Sequence, residues 1–242
     1  MMKLPVLLAI VMTLLTSPAW AEQTLVLNSA LYTPFTSEKR DGELDMLYQE
    51  LSNRLGIKID IQILTAAQRS LINVVEGVVD GDAGRIEGLD KQYPNIVRVP
   101  IPVTKFEVVV FSRNFDFRVD GPESLKPYNI GIVRGWKIVE AATAGAASIT
   151  MLESADLMFS MLDKNRIDIA VLEKKMGIEL IKRMGVKNIK IMKPALLESY
   201  WYLYLNKKHI GLVPRITAEL RNMEEDGTRQ RIHDGALSRY PQ

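Results

Sequence analysis

The 242-residue sequence contains no cysteine and only two histidines, His209 and His233. The absence of cysteine excludes disulfides, thiolate zinc sites, iron–sulfur clusters, a cysteine nucleophile and a lipid anchor on cysteine. The two histidines are 24 positions apart and have no third candidate ligand near them. The sequence therefore gives no support for a metal site, and we predict no cofactor.

An excess of charge of one sign is also missing. Lysine and arginine number 31 against 29 acidic residues, so there is no broad basic field to hold phosphate, and nucleic acid is excluded as an expected partner. No phosphate-loop or Gly-x-Ser-x-Gly pattern is present. Hydrophobic residues make up 47% of the chain, which is enough for a folded core of one large or two modest domains.

One long apolar run is present, at residues 4–15, between a lysine at position 3 and the Ser-Pro-Ala-Trp-Ala segment at residues 17–21. A helix of that length rises only about 18 Å, well short of the roughly 30 Å hydrocarbon core of a membrane. The pattern favours a cleaved signal peptide over an uncleaved anchor. We expect cleavage after Ala21 and export of a soluble protein to the periplasm.

The rest of the sequence alternates strand and helix patterns. Leu44, Leu47 and Leu51 recur at helical spacing, and Gly56 follows where a left-handed helix cap belongs. Strand–helix alternation predicts an α/β fold with parallel sheets. Strands are predicted over residues 24–28, 57–63, 96–99, 107–111, 129–133, 167–171, 188–192 and 200–205, and helices over residues 44–55, 69–77 and 175–184, through Met158, Phe159 and Leu162, and from Pro214.

Short motifs are spread along residues 24–237. In order they are Tyr-Thr-Pro-Phe at 32–35, Asp-Gly at 41–42, Asn-Arg-Leu-Gly at 53–56, Ser-Leu-Ile at 70–72, Val-Asp-Gly-Asp at 79–82, Asn-Arg-Ile-Asp-Ile-Ala at 165–170, Leu-Asn-Lys-Lys at 205–208 and Glu-Asp-Gly-Thr at 225–228. Together they resemble the motifs of the periplasmic amino-acid-type substrate-binding proteins, the family 3 solute-binding proteins with the type II periplasmic binding fold.

The resemblance implies a two-lobed α/β fold. Each lobe would be a mostly parallel sheet flanked by helices, and two hinge strands would join the lobes. Lobe 1 would comprise residues 22–110 and 206–242, and lobe 2 residues 111–205. Ligand would lie in the cleft between them, and a few hinge residues would absorb the change of backbone angles on closure.

Arg85 is the first candidate for binding a ligand. It follows a glycine-rich stretch at residues 81–84, interpreted as a strand-to-helix turn, and its planar guanidinium can hold a carboxylate with two parallel hydrogen bonds. The alternative is an ion pair with Asp82 or Glu87. The family places its carboxylate-binding arginine about seven residues later, where this chain has Gln92.

Three more lobe 1 candidates come from the resemblance. Tyr32 matches the aromatic residue that covers the ligand in the family, although ordinary core packing is an equal alternative. Gln68 and Arg69 fall where the family places cleft-facing residues before a helix. An exposed helix start would carry such residues as well.

On lobe 2, residues 134–137 read Arg-Gly-Trp-Lys between a predicted strand and a helix. Free backbone N–H groups at such a turn, with the helix dipole, predict an anion site that involves Arg134, Gly135, Trp136 and Lys137. The family uses a Gly-Thr-Thr-like turn here to hold the ligand carboxylate. For Trp136, packing between the lobes is the alternative to lining the cleft.

Glu173 lies five residues after Asp168, where the family usually places the acid that binds a ligand ammonium group. A carboxylate there, opposite Arg85, would select a zwitterion. The alternative is a glutamate at a helix N-terminus, where its negative charge interacts favourably with the helix dipole.

The resulting hypothesis is a monomeric periplasmic protein that binds an amino acid or related carboxylate for the permease of an ABC-type transporter. One alternative is a ligand-sensing protein whose closed form acts on a membrane sensor. Another is a dehydratase-like enzyme on a similar fold, with Glu173 as a general acid.

Overall fold

The computed structural model describes residues 24–31, 33–64 and 66–238. The predicted signal peptide and Tyr32 lie outside the described residues. The strands are β1 (Thr24–Ser29), β2 (Lys58–Ile63), β3 (Gly81–Arg85), β4 (Ile96–Ser112), β5 (Asn129–Val133), β6 (Ser148–Leu152), β7 (Ile169–Glu173), β8 (Lys190–Ile191) and β9 (Leu197–Asn206). The helices are α1 (Glu43–Leu55), α2 (Ala67–Val75), α3 (Leu89–Gln92), α4 (Lys137–Ala142), α5 (Ala155–Asp163), α6 (Lys174–Met184), α7 (Val213–Glu225) and α8 (Thr228–Ser238), with 3-10 turns at Pro122–Leu125 and Lys207–Leu212.

The strands form two parallel groups linked by two long antiparallel strands. The sheet order is β2-β1-β3-β9-β4-β7-β5-β6, and β8 pairs with β4. Strand β1 is parallel to β2 and β3, and β5 is parallel to β6 and β7. Strands β4 and β9 pair with each other and connect the groups, so the predicted two-lobed α/β architecture is confirmed. The lobe limits at residues 110 and 205 fall near the ends of these strands and stay a prediction.

Helix α1 shows how the sequence pattern builds lobe 1. Leu44, Leu47 and Leu51 are buried on one face, as their spacing predicts. The helix ends at Gly56, whose φ of 64° is left-handed and whose N–H donates to the carbonyl of Ser52. This helix was predicted correctly, cap included.

Two predicted strands, residues 96–99 and 107–111, form the single strand β4. Pro100 and Pro102 interrupt the sequence pattern between them because proline cannot donate to a sheet. The pairing of β4 with β9 absorbs the interruption through register shifts between Arg98 and Pro102 and between Pro102 and Thr104. The prediction of a break was therefore wrong, and the continuous strand connects the lobes.

The glycine-rich stretch before Arg85 is strand β3, not the predicted turn. Glycine is needed at position 81 because a Cβ there would lie 2.5 Å from the carbonyl oxygen of Tyr204 on β9. Strand β7 also begins two residues later than predicted, so that Glu173 is its last residue. Strand β6 and helix α8 were not predicted. Among the described residues, no helix has both the length and the apolar character needed to cross a membrane.

Candidate functional site

A row of aromatic rings runs from lobe 1 to lobe 2. Phe35 stacks on Trp201 of β9 with ring centroids 6.1 Å apart, and Trp201 stacks on Phe106 of β4 at 4.7 Å. Phe106 in turn stacks on Trp136, just before α4, at 6.3 Å. Gly84 of β3 adjoins this row, because a Cβ there would lie 3.2 Å from the Trp201 ring. The row includes the predicted residue Trp136, whose stacking on Phe106 is the packing between the lobes that the sequence left open as the alternative to lining the cleft.

A group of polar side chains, buried except for the half-buried His233, lies beside Phe35 of the aromatic row. We call Glu43, Thr104, Glu173, Lys175 and His233 the inter-lobe cluster. The Nζ of Lys175, in the first turn of α6, lies 2.5 Å from Oε2 of Glu43, in the first turn of α1. The same Nζ donates to Oγ1 of Thr104 at 3.1 Å, and Nδ1 of His233 lies 3.2 Å from Oε1 of Glu43. The cluster thus joins an ammonium from lobe 2 to a carboxylate from lobe 1.

The two carboxyl groups of the inter-lobe cluster have opposite pKa shifts. Burial raises the pKa of Glu43, but the hydrogen bond from His233 and the charge of Lys175 outweigh burial, and the net pKa is lowered. Burial dominates at Glu173 and raises its pKa to about 7, against the opposing effects of the Met176 N–H and Lys175. Glu43 is therefore the ionised partner of Lys175.

Glu173 caps the N-terminus of α6. Its Oε2 accepts a hydrogen bond from the N–H of Met176 at 2.8 Å, which is the helix-terminal role left open by the sequence. Its side chain is fully buried, and its Oε1 has no hydrogen-bond partner among the described residues. Capping of α6 does not prevent Glu173 from binding a ligand ammonium group, and that binding role stays a prediction.

Arg85 is paired with Asp82, one of the alternatives that the sequence left open. Its Nε donates to Oδ2 of Asp82 at 2.8 Å, and its Nη2 donates to the carbonyl of Ala67 at 2.6 Å. Asp82 is fully buried, and burial raises its pKa against the lowering effects of Arg85 and Ser70. The Nη1 of Arg85 has no partner within the described part of the chain, so one edge of the guanidinium stays available.

Gln68 and Arg69 lie at the exposed start of α2. They directly follow Ala67, whose carbonyl accepts from Arg85. Neither side chain has a hydrogen-bond or ion-pair partner in the described segments. The backbone at the start of α2 therefore lies against the guanidinium of Arg85.

The predicted anion turn of lobe 2 holds a carboxylate of the chain itself. Gly135 adopts a φ of 87°, and its N–H donates to Oε1 of Glu140 at 2.8 Å. The Nζ of Lys137 lies 2.6 Å from Oε2 of the same Glu140, and together they lower the pKa of that carboxyl. Arg134 pairs with Glu153 at 2.9 Å and is exposed. The turn has the geometry of an anion site, with Glu140 as its occupant.

Space for a small molecule exists at the lobe boundary. A cavity of about 290 Å³ adjoins the inter-lobe cluster and is lined in part by Glu43, Thr104, Lys175 and His233. A second cavity, of about 240 Å³, lies between Thr33 of lobe 1 and helices α5 and α6 of lobe 2.

The cluster residues that were not predicted as site residues from the sequence are Glu43, Thr104, Lys175 and His233. Glu43 and Lys175 are 132 positions apart, so no local pattern joins them. One signal was available: α6 carries lysines in its first turn, where the helix dipole disfavours cations. Such a lysine needs a compensating acid, which Glu43 supplies.

Comparisons with known proteins agree with this architecture. No family model matches the sequence. An uncharacterised protein of Shewanella oneidensis is 23% identical over 206 residues, covering 81% of this chain and 76% of that protein.

Solved structures match over nearly the whole chain. A histidine kinase sensor domain with similarity to periplasmic binding proteins has a TM-score of 0.71 at 16% identity, covering 89% of this chain and 97% of that one. The GluR0 ligand-binding core from Nostoc punctiforme, in complex with L-glutamate, has a TM-score of 0.69 at 16% identity, with coverages of 87% and 97%. The L-cystine solute receptor of Neisseria gonorrhoeae has a TM-score of 0.68 at 16% identity, with coverages of 90% and 94%. The chain has the type II periplasmic binding fold, as its motifs predicted.

Proposed function

We propose that this protein is an exported solute-binding protein whose lobes close on a small ligand that carries a carboxylate, an amino acid or a related acid. The observation that carries the proposal is the meeting of charged and aromatic side chains from both lobes at the strands that join them. Lys175 of lobe 2 contacts Glu43 of lobe 1, and Trp136 of lobe 2 continues the aromatic row. Groups from both sides of a boundary are what a closing cleft requires.

The ligand carboxylate is assigned to the corner formed by Arg85, Arg69 and Gln68. The Nη1 of Arg85, which has no partner among the described residues, and the exposed side chain of Arg69 supply positive charge there. Such groups bind carboxylates through charge-assisted hydrogen bonds. Tyr32 and Trp136 would cover the ligand, and Gly135 would bind a ligand oxygen in exchange for Glu140.

Export and partners complete the proposal. Cleavage after Ala21 would release a monomer of residues 22–242 into the periplasm, to deliver ligand to the permease of an ABC-type transporter. The similarity in fold to the cystine solute receptor supports a transport role, and the similarity to a histidine kinase sensor domain supports a second candidate, a sensory role at the membrane. Both functions begin with ligand binding, so the same first experiment applies.

A thermal-melt screen of residues 22–242 against amino acids and small mono- and dicarboxylates tests the proposal. A ligand at about 100 times its Kd should add about 2.7 kcal/mol to the free energy of unfolding, a measurable shift in Tm. Arg69→Ala should reduce the shift, and Arg118→Ala, at an arginine 75% exposed and outside the proposed site, should retain it. A ligand recovered unchanged after long incubation supports binding; its conversion into product would support the dehydratase-like alternative. No shift with any acid would contradict the proposal.

A further inference from the structure

The inter-lobe cluster contains a cation that the chain itself supplies. Lys175 is nearly buried, with 9% of its side chain exposed, and Glu43 has 10%. The Nζ of Lys175 contacts the Glu43 carboxylate and the Thr104 hydroxyl, and it lies 5.2 Å from the ring centroid of Phe35. A carboxylate, a hydroxyl and an aromatic face are the groups that recognise an ammonium ion. In this protein a lysine occupies them.

The charges around Lys175 are balanced without a ligand cation. Glu43 is ionised and paired with Lys175, while His233 adds a further contact to the same carboxylate. Glu173 is fully buried and, with a pKa raised to about 7, holds a proton in much of the population near neutral pH. The cluster therefore has little negative charge left for a second ammonium group.

We propose that Lys175 is a specificity-determining residue: its ammonium fills the cation position between the lobes, so that the preferred ligand is a small acid without an amino group. The inference rests on the proposed function and narrows its ligand class. An amino acid would bring a second ammonium beside Lys175, or displace Lys175 and leave a buried charge unpaired. Either event weakens binding.

Matched pairs of acids that differ by one ammonium group test this inference. The pairs are glutarate and L-glutamate, succinate and L-aspartate, and propionate and L-alanine, titrated calorimetrically into residues 22–242. For wild type, the better-binding pair should favour the simple acid by about tenfold or more, the equivalent of one lost ion pair of moderate strength. Lys175→Met should reduce that ratio by about tenfold or reverse it, because Glu43 and Glu173 then accept an ammonium.

Two further variants separate specificity from folding. Lys175→Arg keeps the charge and should keep the preference for the simple acid. The double variant Glu43→Gln/Lys175→Met removes both charges of the pair and should lose the preference without leaving Glu43 unpaired.

The outcomes distinguish this inference from the proposed function. A wild-type preference for the amino acid, or an unchanged ratio in folded Lys175→Met and in the double variant, would overturn the inference and leave the proposed function standing. Failure of every acid to bind, in the three pairs and in the thermal-melt screen alike, would overturn both.

Discussion

The indole ring of Trp201 stacks on the ring of Phe106 with centroids 4.7 Å apart and planes inclined by 17°. This contact joins β9 to β4, the two strands that connect the lobes. The indole N–H of Trp201 is buried and has no hydrogen-bond partner in the described residues. Ring packing therefore adds to the backbone pairing of β4 with β9 in connecting the lobes.

Replacing Trp201 with alanine should destabilise the fold. Loss of a large packed ring removes its contacts with Phe35 and Phe106 and should lower the free energy of unfolding by about 3 kcal/mol. Urea unfolding followed by circular dichroism measures this change. Tyr200→Ala, at a neighbouring ring that is 49% exposed, is the control and should cost less than about 1 kcal/mol. Equal effects of the two substitutions would argue against the aromatic row as a structural element.

Arg85 and Arg69 should differ in their effect on stability. Arg85→Ala leaves the fully buried Asp82 without its charge partner and should destabilise the protein by about 3 kcal/mol, as well as weaken ligand binding by about 2–5 kcal/mol. Arg69→Ala removes an exposed side chain and should leave stability within about 0.5 kcal/mol while weakening binding. Urea unfolding and calorimetric titration measure the two effects. Binding that is unaffected in both variants would remove these arginines from the site.

Stability should fall as pH rises through the titration of Glu173. The pKa of its carboxyl is about 7 in the folded state against 4.5 as the reference, so the folded protein holds a proton that the unfolded chain releases between those values. This contribution is fully present below pH 4.5, is lost as pH rises through about 7, and is on the order of 3 kcal/mol.

Urea unfolding of wild type and Glu173→Gln across this range isolates the contribution of Glu173. The pKa of buried Asp82 is also raised, so the difference between the two proteins is the diagnostic quantity. Glu173→Gln should reduce the loss of stability with rising pH, while Glu153→Gln, at a side chain 76% exposed, should not. Parallel pH profiles for wild type and Glu173→Gln would show that Glu173 titrates normally.

The Glu43–Lys175 pair should show strong coupling in a double-mutant cycle. Glu43→Gln leaves Lys175 without its ion-pair partner and Lys175→Met leaves Glu43 without its lysine, each at a cost of about 3–5 kcal/mol. The double variant should cost less than the sum of the two single effects. The matched control is Lys174→Met. That lysine is 41% exposed and lies 3.4 Å from Glu107, so its loss should cost at most about 1 kcal/mol. Additive effects of Glu43 and Lys175 would contradict an inter-lobe ion pair.

Local periodicity predicted most of the fold. The leucines of α1 and the left-handed Gly56 were correctly placed because helical spacing and caps are encoded over a few neighbouring residues. Strand β3 was missed because its glycine at position 81 is required by the close contact with the carbonyl of Tyr204. Tyr204 is 123 positions from Gly81, so a local sequence pattern does not reveal this contact. Two separate strands were predicted where β4 is continuous, because the register shifts that accommodate its prolines depend on β9, a strand far away in the sequence.

The candidate site was less accessible from sequence than the fold. The sequence selected Arg85, Arg69 and Gly135 as candidates and offered Asp82 as a partner of Arg85, but it did not predict Glu140 as the partner of Gly135. Asp82 forms an ion pair with Arg85, and Glu140 accepts a hydrogen bond from the N–H of Gly135. Lys175 was overlooked because its acceptor, Glu43, lies on the other lobe.

The most direct test of the central claim, binding of a small acid between the lobes, is ¹⁵N-edited NMR of the indole N–H groups. Of the three tryptophans, only Trp136 and Trp201 lie within residues 22–242, so this protein gives two indole signals, one from lobe 2 and one from a connecting strand. Saturating addition of the acid that raises the Tm most should shift both signals with one Kd, equal to the calorimetric value. Saturable binding that leaves both indole signals unmoved would place the ligand elsewhere and contradict the account.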